Sequence, residues 1–247
     1  MMKRKYGLRK LFKPNTIFHF STSDALLSNV FEGNTTIKEI LKHGDFGIGT
    51  MNCLDGEMII VDGKPYTVRT DGKAYEVDDL ERSPISVVTH FKKDYSFNIC
   101  TPIKYSQLIE KINSLLSTQN IFYPIKIIGE FKYITTRSIA KQSKPFKLIE
   151  DLIKDAVKFN FTNIQGTVLG FKSPSFIERI GVPGYHFHFI DKERKVGGHL
   201  LDFEMVTGRI EYAIARDFHV KLEDSEIYDN IDLSESKNDL LQKIEKL

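Results

Sequence analysis

The stretch GVPGYHFHFIDKERKVGGHLLDFE, residues 181–204, predicts a β-hairpin that carries histidines on one face. Its first strand, residues 184–190, alternates aromatic residues with histidines. Alternate side chains of a strand share a face and are spaced about 3.3 Å per residue, so His186 and His188 lie about 6.6 Å apart on one side. The aromatic residues take the other side, which is typical of a surface that faces a core.

The return strand brings a third histidine to the same patch. Residues 191–195 are polar and turn-like, and residues 196–203 predict the second strand. If the turn centres on Glu193 and Arg194, antiparallel pairing places His199 opposite His188, with side chains about 5 Å apart. Three imidazoles with open ligand positions are the arrangement of a catalytic rather than a structural zinc site.

Length and composition indicate a globular protein with a substantial core. The chain has 247 residues, enough for one large domain or two small ones, and 41% of them are hydrophobic. Lysine and arginine number 35 against 33 acidic residues, so no whole-molecule field attracts nucleic acid or a membrane. The basic run that ends at Lys13 is interpreted as a solvated terminus rather than a nucleic-acid-binding arm.

Targeting and cysteine patterns bear on the cellular compartment. No apolar stretch follows the basic start, which argues against a signal peptide, and no run approaches the roughly 20 apolar residues of a membrane span. Cys53 and Cys100 lack the spacing of a disulfide or metal-binding framework. We therefore expect a cytoplasmic protein with neither a nucleic-acid nor a membrane partner.

Outside the hairpin, the pattern predicts strands separated by glycine-containing turns, with a few helices. The predicted helices are residues 21–30, 34–43, 106–116 and 147–158 and a final one capped by Ser234. The predicted strands are residues 46–52, 57–61, 66–70, 74–77, 85–90, 96–100, 124–137, 163–171, 209–215 and 218–222, with a turn at Thr207 and Gly208. The polar segment 138–146 is the predicted boundary between an N-terminal half, residues 1–140, and a C-terminal half, residues 141–247.

Three segments carry a resemblance to the bacterial α-acetolactate decarboxylases. They are HGDFGIGTMNCLDGEMIIVDG (residues 43–63), TTRSIAKQSKPF (residues 135–146) and the hairpin stretch itself. The resemblance covers nearly the whole chain, from residue 18 to the terminal helix. It implies an α+β fold with two β-rich halves, mixed or antiparallel sheets, flanking helices and a metal site near the junction of the halves.

The resemblance also implies a site and a reaction. The matching positions are the metal ligands His186, His188 and His199 and the catalytic residues Glu57, Arg137 and Glu245. The implied activity is the zinc-dependent decarboxylation of 2-acetolactate (2-hydroxy-2-methyl-3-oxobutanoate) to acetoin and CO2, and the implied assembly is a homodimer.

These residue types suit that reaction. Loss of CO2 leaves electrons that must move onto the 3-oxo oxygen, and zinc held by neutral histidines can polarise that oxygen. Glu57 is the first candidate for protonating the resulting enediolate, and Glu245 is the second. Arg137 offers a planar set of donors suited to a carboxylate or an oxyanion.

Two other interpretations of the hairpin stay open. One is another three-histidine β-sheet metalloenzyme, such as a hydratase or a cupin-type oxygenase, although a cupin usually has a glutamate soon after its His-x-His pair and Glu193 lies in the predicted turn. The other is a non-catalytic β-rich binding protein with an incidental histidine cluster, which predicts no bound metal after dialysis. The remaining histidines (His19, His43, His90 and His219) and Cys53 are interpreted as structural.

Overall fold

Two β-sheets dominate the molecule, and the helices are few and short. The structure, a computed structural model, describes residues 13–245, so most of the basic start and Leu247 lie outside the described residues. The helices are α1 (Ser23–Leu27), α2 (Ile37–Ile40), α3 (Tyr105–Leu115), α4 (Ile149–Lys154), α5 (Glu226–Asn230) and α6 (Asn238–Glu245). The strands are β1 (Ile17–Phe20), β2 (Thr35–Thr36), β3 (Phe46–Thr50), β4 (Glu57–Val61), β5 (Lys64–Val68), β6 (Ala74–Glu76), β7 (Arg82–Ser83), β8 (Ile85–Thr89), β9 (Tyr95–Ile99), β10 (Ile103–Lys104), β11 (Tyr123–Ser138), β12 (Val157–Ser173), β13 (Gly184–Asp191), β14 (Gly197–Tyr212) and β15 (Phe218–Lys221). The predicted α+β class is confirmed.

The first sheet has seven strands in the order β15-β1-β8-β3-β4-β5-β6. Its strands pair antiparallel except for β15, which returns from late in the chain to pair parallel with β1. Asp62 and Gly63 both have positive φ, 53° and 76°, and connect β4 to β5 in the tight turn that the Asp-Gly pair predicts. One face of this sheet packs on α2, and the other faces the second sheet.

The second sheet has six strands, three of which are 16 or 17 residues long. Strand order is β10-β14-β11-β12-β13, β9 adds to β14, and β13 also pairs with the start of β14. That last pairing is the predicted hairpin, with His188 directly opposite His199. The aromatic side of β13 packs into the largest core cluster, where the Phe131 ring meets those of Phe189 and Phe203.

A second core layer lies between the two sheets and continues into a helical cluster. Ile48 and Ile59 of the first sheet pack in this layer with Leu169 and Phe171 of the second. Beyond it, buried side chains of α1, α4 and α6 pack on one another, including those of Leu27, Ile153, Leu241 and Ile244. The histidine face of β13 therefore looks toward the first sheet, at the border of these two clusters.

The predicted turn at Thr207 and Gly208 is wrong, because β14 runs through it without a break. Gly208 pairs with Gly129 of β11. A Cβ on Gly208 would lie 2.6 Å from the carbonyl oxygen of Ile128, so glycine here permits a close approach of two strands rather than a turn. Two short strands predicted from the sequence are one long strand in the structure.

The helix predicted at 21–30 is reduced to α1, and strand pairing shortens two other predicted helices. The helix predicted at 147–158 ends at Lys154, and β12 begins at Val157, where Val157, Phe159 and Phe161 favour a strand. The helix predicted at 34–43 is reduced to α2, capped by the Thr36 side chain, because Thr35 and Thr36 pair with β7. Local helix propensity overestimated the lengths of the helices at 147–158 and 34–43, because some of their residues pair with strands from elsewhere in the chain.

The second sheet combines strands from both predicted halves of the chain. Strands β11 and β12 lie on opposite sides of position 140 and pair with each other over nearly their whole length. The division into residues 1–140 and 141–247 stays a prediction. Within residues 13–245, every helix is too short or too polar to span a lipid bilayer.

Candidate active site

Three histidines of the hairpin come together on one patch. The ring centroids of His186, His188 and His199 lie 5.1–5.4 Å from one another. Their candidate ligand atoms all lie within 4.8 Å of each other, so one metal ion could be held by all three. The geometry follows from local rules, since His186 and His188 are two residues apart on one strand and His199 is the cross-strand neighbour of His188.

A backbone contact orients the central ring. His188 Nδ1 lies 2.9 Å from the carbonyl oxygen of Met58 in β4. A carbonyl only accepts, so Nδ1 carries the proton and Nε2 keeps its lone pair. Nε2 is buried without a hydrogen-bond partner among residues 13–245. An unpartnered buried nitrogen whose ring is fixed through its other nitrogen fits a metal ligand.

Burial keeps all three rings neutral. Burial, assisted by the positive charge of Arg137, lowers the pKa of His186 to about 3. Burial lowers the pKa of His188 and His199 well below the usual value, again with contributions from Arg137 and the neighbouring rings. Neutral imidazoles offer lone pairs to a cation and leave its charge undiminished.

Glu57 enters the site from the first sheet. It begins β4 directly after the turn at Asp55 and Gly56 and is buried. Its Oε2 lies 3.5 Å from His188 Nε2. Burial raises the pKa of this carboxyl to about 7, an effect that Arg137 opposes and the charge of Glu245 reinforces. Near neutral pH the group can therefore hold or release a proton.

Glu245 reaches the same histidines from the C-terminal helix. It is the last residue of α6, whose Leu241 and Ile244 pack into the helical cluster. Its Oε2 lies 3.7 Å from His199 Nε2 and 3.9 Å from His186 Nε2. Burial raises its pKa to about 7, against the opposing charge of Arg137.

Arg137 of β11 lies beside the three histidines and the two glutamates as the cation of the candidate site. It is almost fully buried and is the ladder partner of His199. Its Nη2 donates to the carbonyl oxygen of Ile244 at 3.2 Å, which ties the end of α6 to the sheet. Its Nε has no hydrogen-bond partner among residues 13–245. A buried guanidinium with an unused donor suits an anionic ligand.

All six residues singled out by the sequence and the resemblance line one cavity of about 120 Å³. Apolar side chains from both sheets and from the helical cluster form the rest of its wall, including those of Ile48, Ile153 and Leu241. The cavity therefore has a mostly apolar wall and a few converging polar groups, which is the usual composition of a small-molecule site.

Sequence reasoning gave no site role to five further polar residues of the cavity wall, His19, Ser23, Thr50, Ser86 and Ser173. His19 and Thr50 lie on the face of the first sheet that carries Glu57, and both line the cavity. Strand alternation across β1, β8, β3 and β4 would have placed them there, but only if the strand order had been known. Cys53 contacts the carboxylate of Glu32 at 3.8 Å and does not belong to the histidine cluster.

Comparison with known proteins points to one family. The chain matches the family profile described as alpha-acetolactate decarboxylase over residues 17–235. The alpha-acetolactate decarboxylase of Bacillus subtilis is 38% identical over 238 residues, covering 94% of this chain and 93% of that protein. That of Methanosarcina mazei is 37% identical over 232 residues, covering 94% of this chain and 81% of that protein. The crystal structure of alpha-acetolactate decarboxylase from Bacillus subtilis strain 168 has a TM-score of 0.89 and 37% identity, covering 94% of this chain and 98% of that one.

Proposed function

Because this chain belongs to the alpha-acetolactate decarboxylase family, we propose that it converts 2-acetolactate and a proton to acetoin and CO2 in the cavity described above. The observation that carries the proposal is the convergence of three neutral histidines, two carboxyls with raised pKa and one buried guanidinium. Decarboxylation of a 3-oxo acid needs an electron sink and a proton donor, and this set of residues can supply both.

The proposed metal is zinc, held by His186, His188 and His199. Three neutral imidazoles with open positions left for substrate are typical of catalytic zinc. When bound, zinc would act as a Lewis acid that polarises the keto and hydroxyl oxygens of the substrate. The unpartnered Nε2 of His188 supports a metal at this position.

Arg137 is proposed to bind and orient the substrate carboxylate. Its guanidinium is buried and has an unused donor, so a carboxylate can complete its hydrogen bonding. Holding the carboxylate out of the plane of the adjacent carbonyl aligns the breaking carbon–carbon bond with the orbital that receives its electrons. The apolar wall excludes water, which favours loss of the charged group as neutral CO2.

Glu57 is proposed to give the proton. Breaking the carbon–carbon bond leaves an electron pair in an enediolate, and a proton delivered to its former carboxylate-bearing carbon yields acetoin. A carboxyl with a pKa of about 7 is protonated often enough near neutral pH to donate and acidic enough to do so readily. Glu245 is the second candidate, since its carboxyl has a similarly raised pKa and lies 3.7 Å from His199 Nε2 and 3.9 Å from His186 Nε2.

The proposal is tested by incubating zinc-loaded protein with racemic 2-acetolactate and following acetoin and CO2. We expect acetoin to form in step with CO2 release. Folded, zinc-loaded protein that forms no acetoin would contradict the proposed reaction. A stoichiometry other than one CO2 per acetoin would also contradict it.

The role of Glu57 is tested by Glu57→Gln, which keeps the shape of the side chain and removes its acidity. Turnover should fall by roughly 100-fold or more while the zinc content stays at wild-type level. Glu193→Gln, which alters an exposed carboxyl in the turn of the same hairpin, is the matched control and should be fully active. Wild-type turnover in Glu57→Gln would remove Glu57 from the proton-donating role.

The homodimer and the cytoplasmic location inferred from the sequence stay predictions. Sedimentation equilibrium of the purified full-length protein tests the first, and fractionation of the source cells tests the second.

A further inference from the structure

A groove adjoins the catalytic cavity at the edge of the second sheet. It has a volume of about 460 Å³ and shares four wall residues with the cavity, Ser173, Val182, Leu241 and Glu245. The side chain of Glu245 is 21% exposed, which makes it the carboxylate at the boundary between the two spaces. We call this space the access groove, since it shares part of its wall with the cavity that contains the histidines.

The access groove contains a buried cation. Lys172 of β12 lines it and is only 4% exposed. Its ladder partners are Tyr123 on one side and Tyr185 on the other, and Nζ lies 5.8 Å from the centre of the Tyr123 ring. Lys172 therefore shares the aromatic face of the sheet with these two tyrosines, and it lines the groove from that face.

The ammonium of Lys172 is incompletely paired. Nζ donates to the carbonyl oxygen of Gln119, another wall residue of the groove, at 2.8 Å. Among residues 13–245 it makes no ion pair and no second hydrogen bond. An ammonium has three donors, and burial of a cation without an anion is costly. Burial accordingly lowers the pKa of Lys172. A carboxylate in the groove would remove this cost.

The groove is otherwise uncharged except for Glu245. Its remaining wall consists of amide, hydroxyl and apolar side chains, with Gln119, Asn120 and Gln242 supplying amide donors. The carboxyl oxygens of Glu245, which lines both the groove and the cavity, repel an incoming carboxylate. Lys172 is the cation of the groove that can offset this repulsion.

We propose that the access groove is a carboxylate-binding site in which Lys172 captures the anionic substrate before it passes Glu245 into the catalytic cavity. The inference rests on the proposed function, because it uses the charges of that reaction. The substrate is an anion, whereas acetoin and CO2 are neutral. A single cation in the groove therefore attracts the substrate and leaves the products free to depart. Lys172 is a specificity-determining residue that acts on the approach and does not touch the reacting atoms.

The test compares Lys172→Met, Lys172→Arg and Lys64→Met in zinc-loaded, full-length protein. Methionine keeps the apolar stem without the charge, arginine keeps the charge, and Lys64 is an exposed lysine of β5 outside the groove. In Lys172→Met the KM for 2-acetolactate should rise roughly 3- to 10-fold with little change in kcat, because one nearby charge is lost. The increase should shrink at high salt, and Lys172→Arg and Lys64→Met should resemble the wild type.

A pair of inhibitors separates a charge effect from structural damage. The probe 2-hydroxy-2-methylpropanoate keeps the carboxylate and hydroxyl of the substrate but has no keto group to accept electrons, whereas acetoin is neutral. The inhibition constant of the hydroxy acid should rise in Lys172→Met by the same factor as KM, and that of acetoin should not change. An unchanged KM, or equal increases for the hydroxy acid and acetoin, would overturn the proposal.

Direct binding keeps this result independent of the proposed reaction. Calorimetric titration of the hydroxy acid into wild-type protein and Lys172→Met measures carboxylate capture without turnover. Protein that forms no acetoin but binds the hydroxy acid in a Lys172-dependent way would contradict the proposed function and support the carboxylate site. Active protein that binds the hydroxy acid equally well with and without the Lys172 charge would overturn the carboxylate site and leave the proposed function in place.

Discussion

The buried carboxyl of Glu57 is held in a state that an exposed glutamate would not adopt. Its neighbours are the neutral ring of His188 at 3.5 Å, the cation of Arg137 and the carboxyl of Glu245. Burial favours the uncharged acid more strongly than Arg137 favours the anion, so the pKa rises to about 7. Such opposing influences bring the pKa of a buried carboxyl close to neutral pH.

The raised pKa of Glu57 has a consequence for the stability of the metal-free protein. The folded carboxyl titrates near pH 7 and the unfolded one near its ordinary value of 4.5. The stability that Glu57 contributes is therefore present below pH 4.5 and is lost as the pH rises through 7. Between pH 5 and pH 8 the free energy of unfolding of metal-free wild type should fall relative to that of Glu57→Gln by roughly 2–3 kcal/mol.

Urea unfolding of both proteins at several pH values after removal of metal measures this difference. Glu245 and the buried histidines titrate in both proteins, so their contributions largely cancel in the comparison. Parallel stability curves for the two proteins would show that Glu57 has an ordinary pKa in the fold.

The residues of the candidate site were predicted from the sequence by two different routes. The three histidines followed from a strand period of two and one turn, because local geometry is enough to bring them together. Glu57, Arg137 and Glu245 came only from the resemblance, since they are separated from the hairpin by tens of residues and no spacing rule connects them. Lys172 was not singled out, because its burial depends on Tyr123 and Tyr185 in two neighbouring strands.

At the level of elements, the hairpin depends on a glycine beside the three-histidine cluster. Gly198 precedes His199 and has a φ of +133°, a conformation that other residues rarely adopt. A Cβ at this position would lie 2.7 Å from the carbonyl oxygen of Arg137. The start of β14 can therefore lie against β11 and β13 at once only because position 198 has no side chain.

Gly198→Ala should destabilise the protein by about 1–3 kcal/mol and weaken zinc binding, because the strained backbone carries His199. Urea unfolding measures the first effect, and competition with a zinc chelator measures the second. Val206→Ala, an exposed position on the same strand, is the control and should change neither by much. Wild-type zinc affinity in a destabilised Gly198→Ala protein would show that His199 does not depend on the local backbone.

Element boundaries were the part of the fold that the sequence predicted least well. The strand at 57–61 and the helix near 106–116 were recovered because alternation and helical spacing are complete within them. The single strand β14 was divided in two because Thr207 and Gly208 form a good local turn signal. Pairing with β11 on one side and β9 on the other outweighs that signal.

At the scale of the whole molecule, the site is a junction of three separate parts. The first sheet contributes Glu57, the second contributes Arg137 and the histidines, and the C-terminal helix contributes Glu245. Composition predicted a core, the strand and turn pattern predicted a β-rich chain, and the resemblance implied two β-rich halves. None of these predicted that β15 would return to pair with β1, since parallel pairing between distant segments leaves no local pattern.

The C-terminal helix closes this junction, and its removal should separate metal binding from catalysis. A chain that ends at residue 237 keeps all three histidines on β13 and β14 but loses Glu245, the packing of Leu241 and Ile244, and the carbonyl that Arg137 Nη2 contacts. We expect zinc to remain near one per chain and turnover to fall by roughly 100-fold or more.

Glu245→Gln is the matched control, because it keeps α6 and removes only the acid. If turnover falls equally in both proteins, the carboxyl accounts for the loss, and a larger fall in the shortened chain assigns the remainder to the helix. Loss of zinc from the shortened chain would contradict the prediction and make α6 part of what holds the histidines in place.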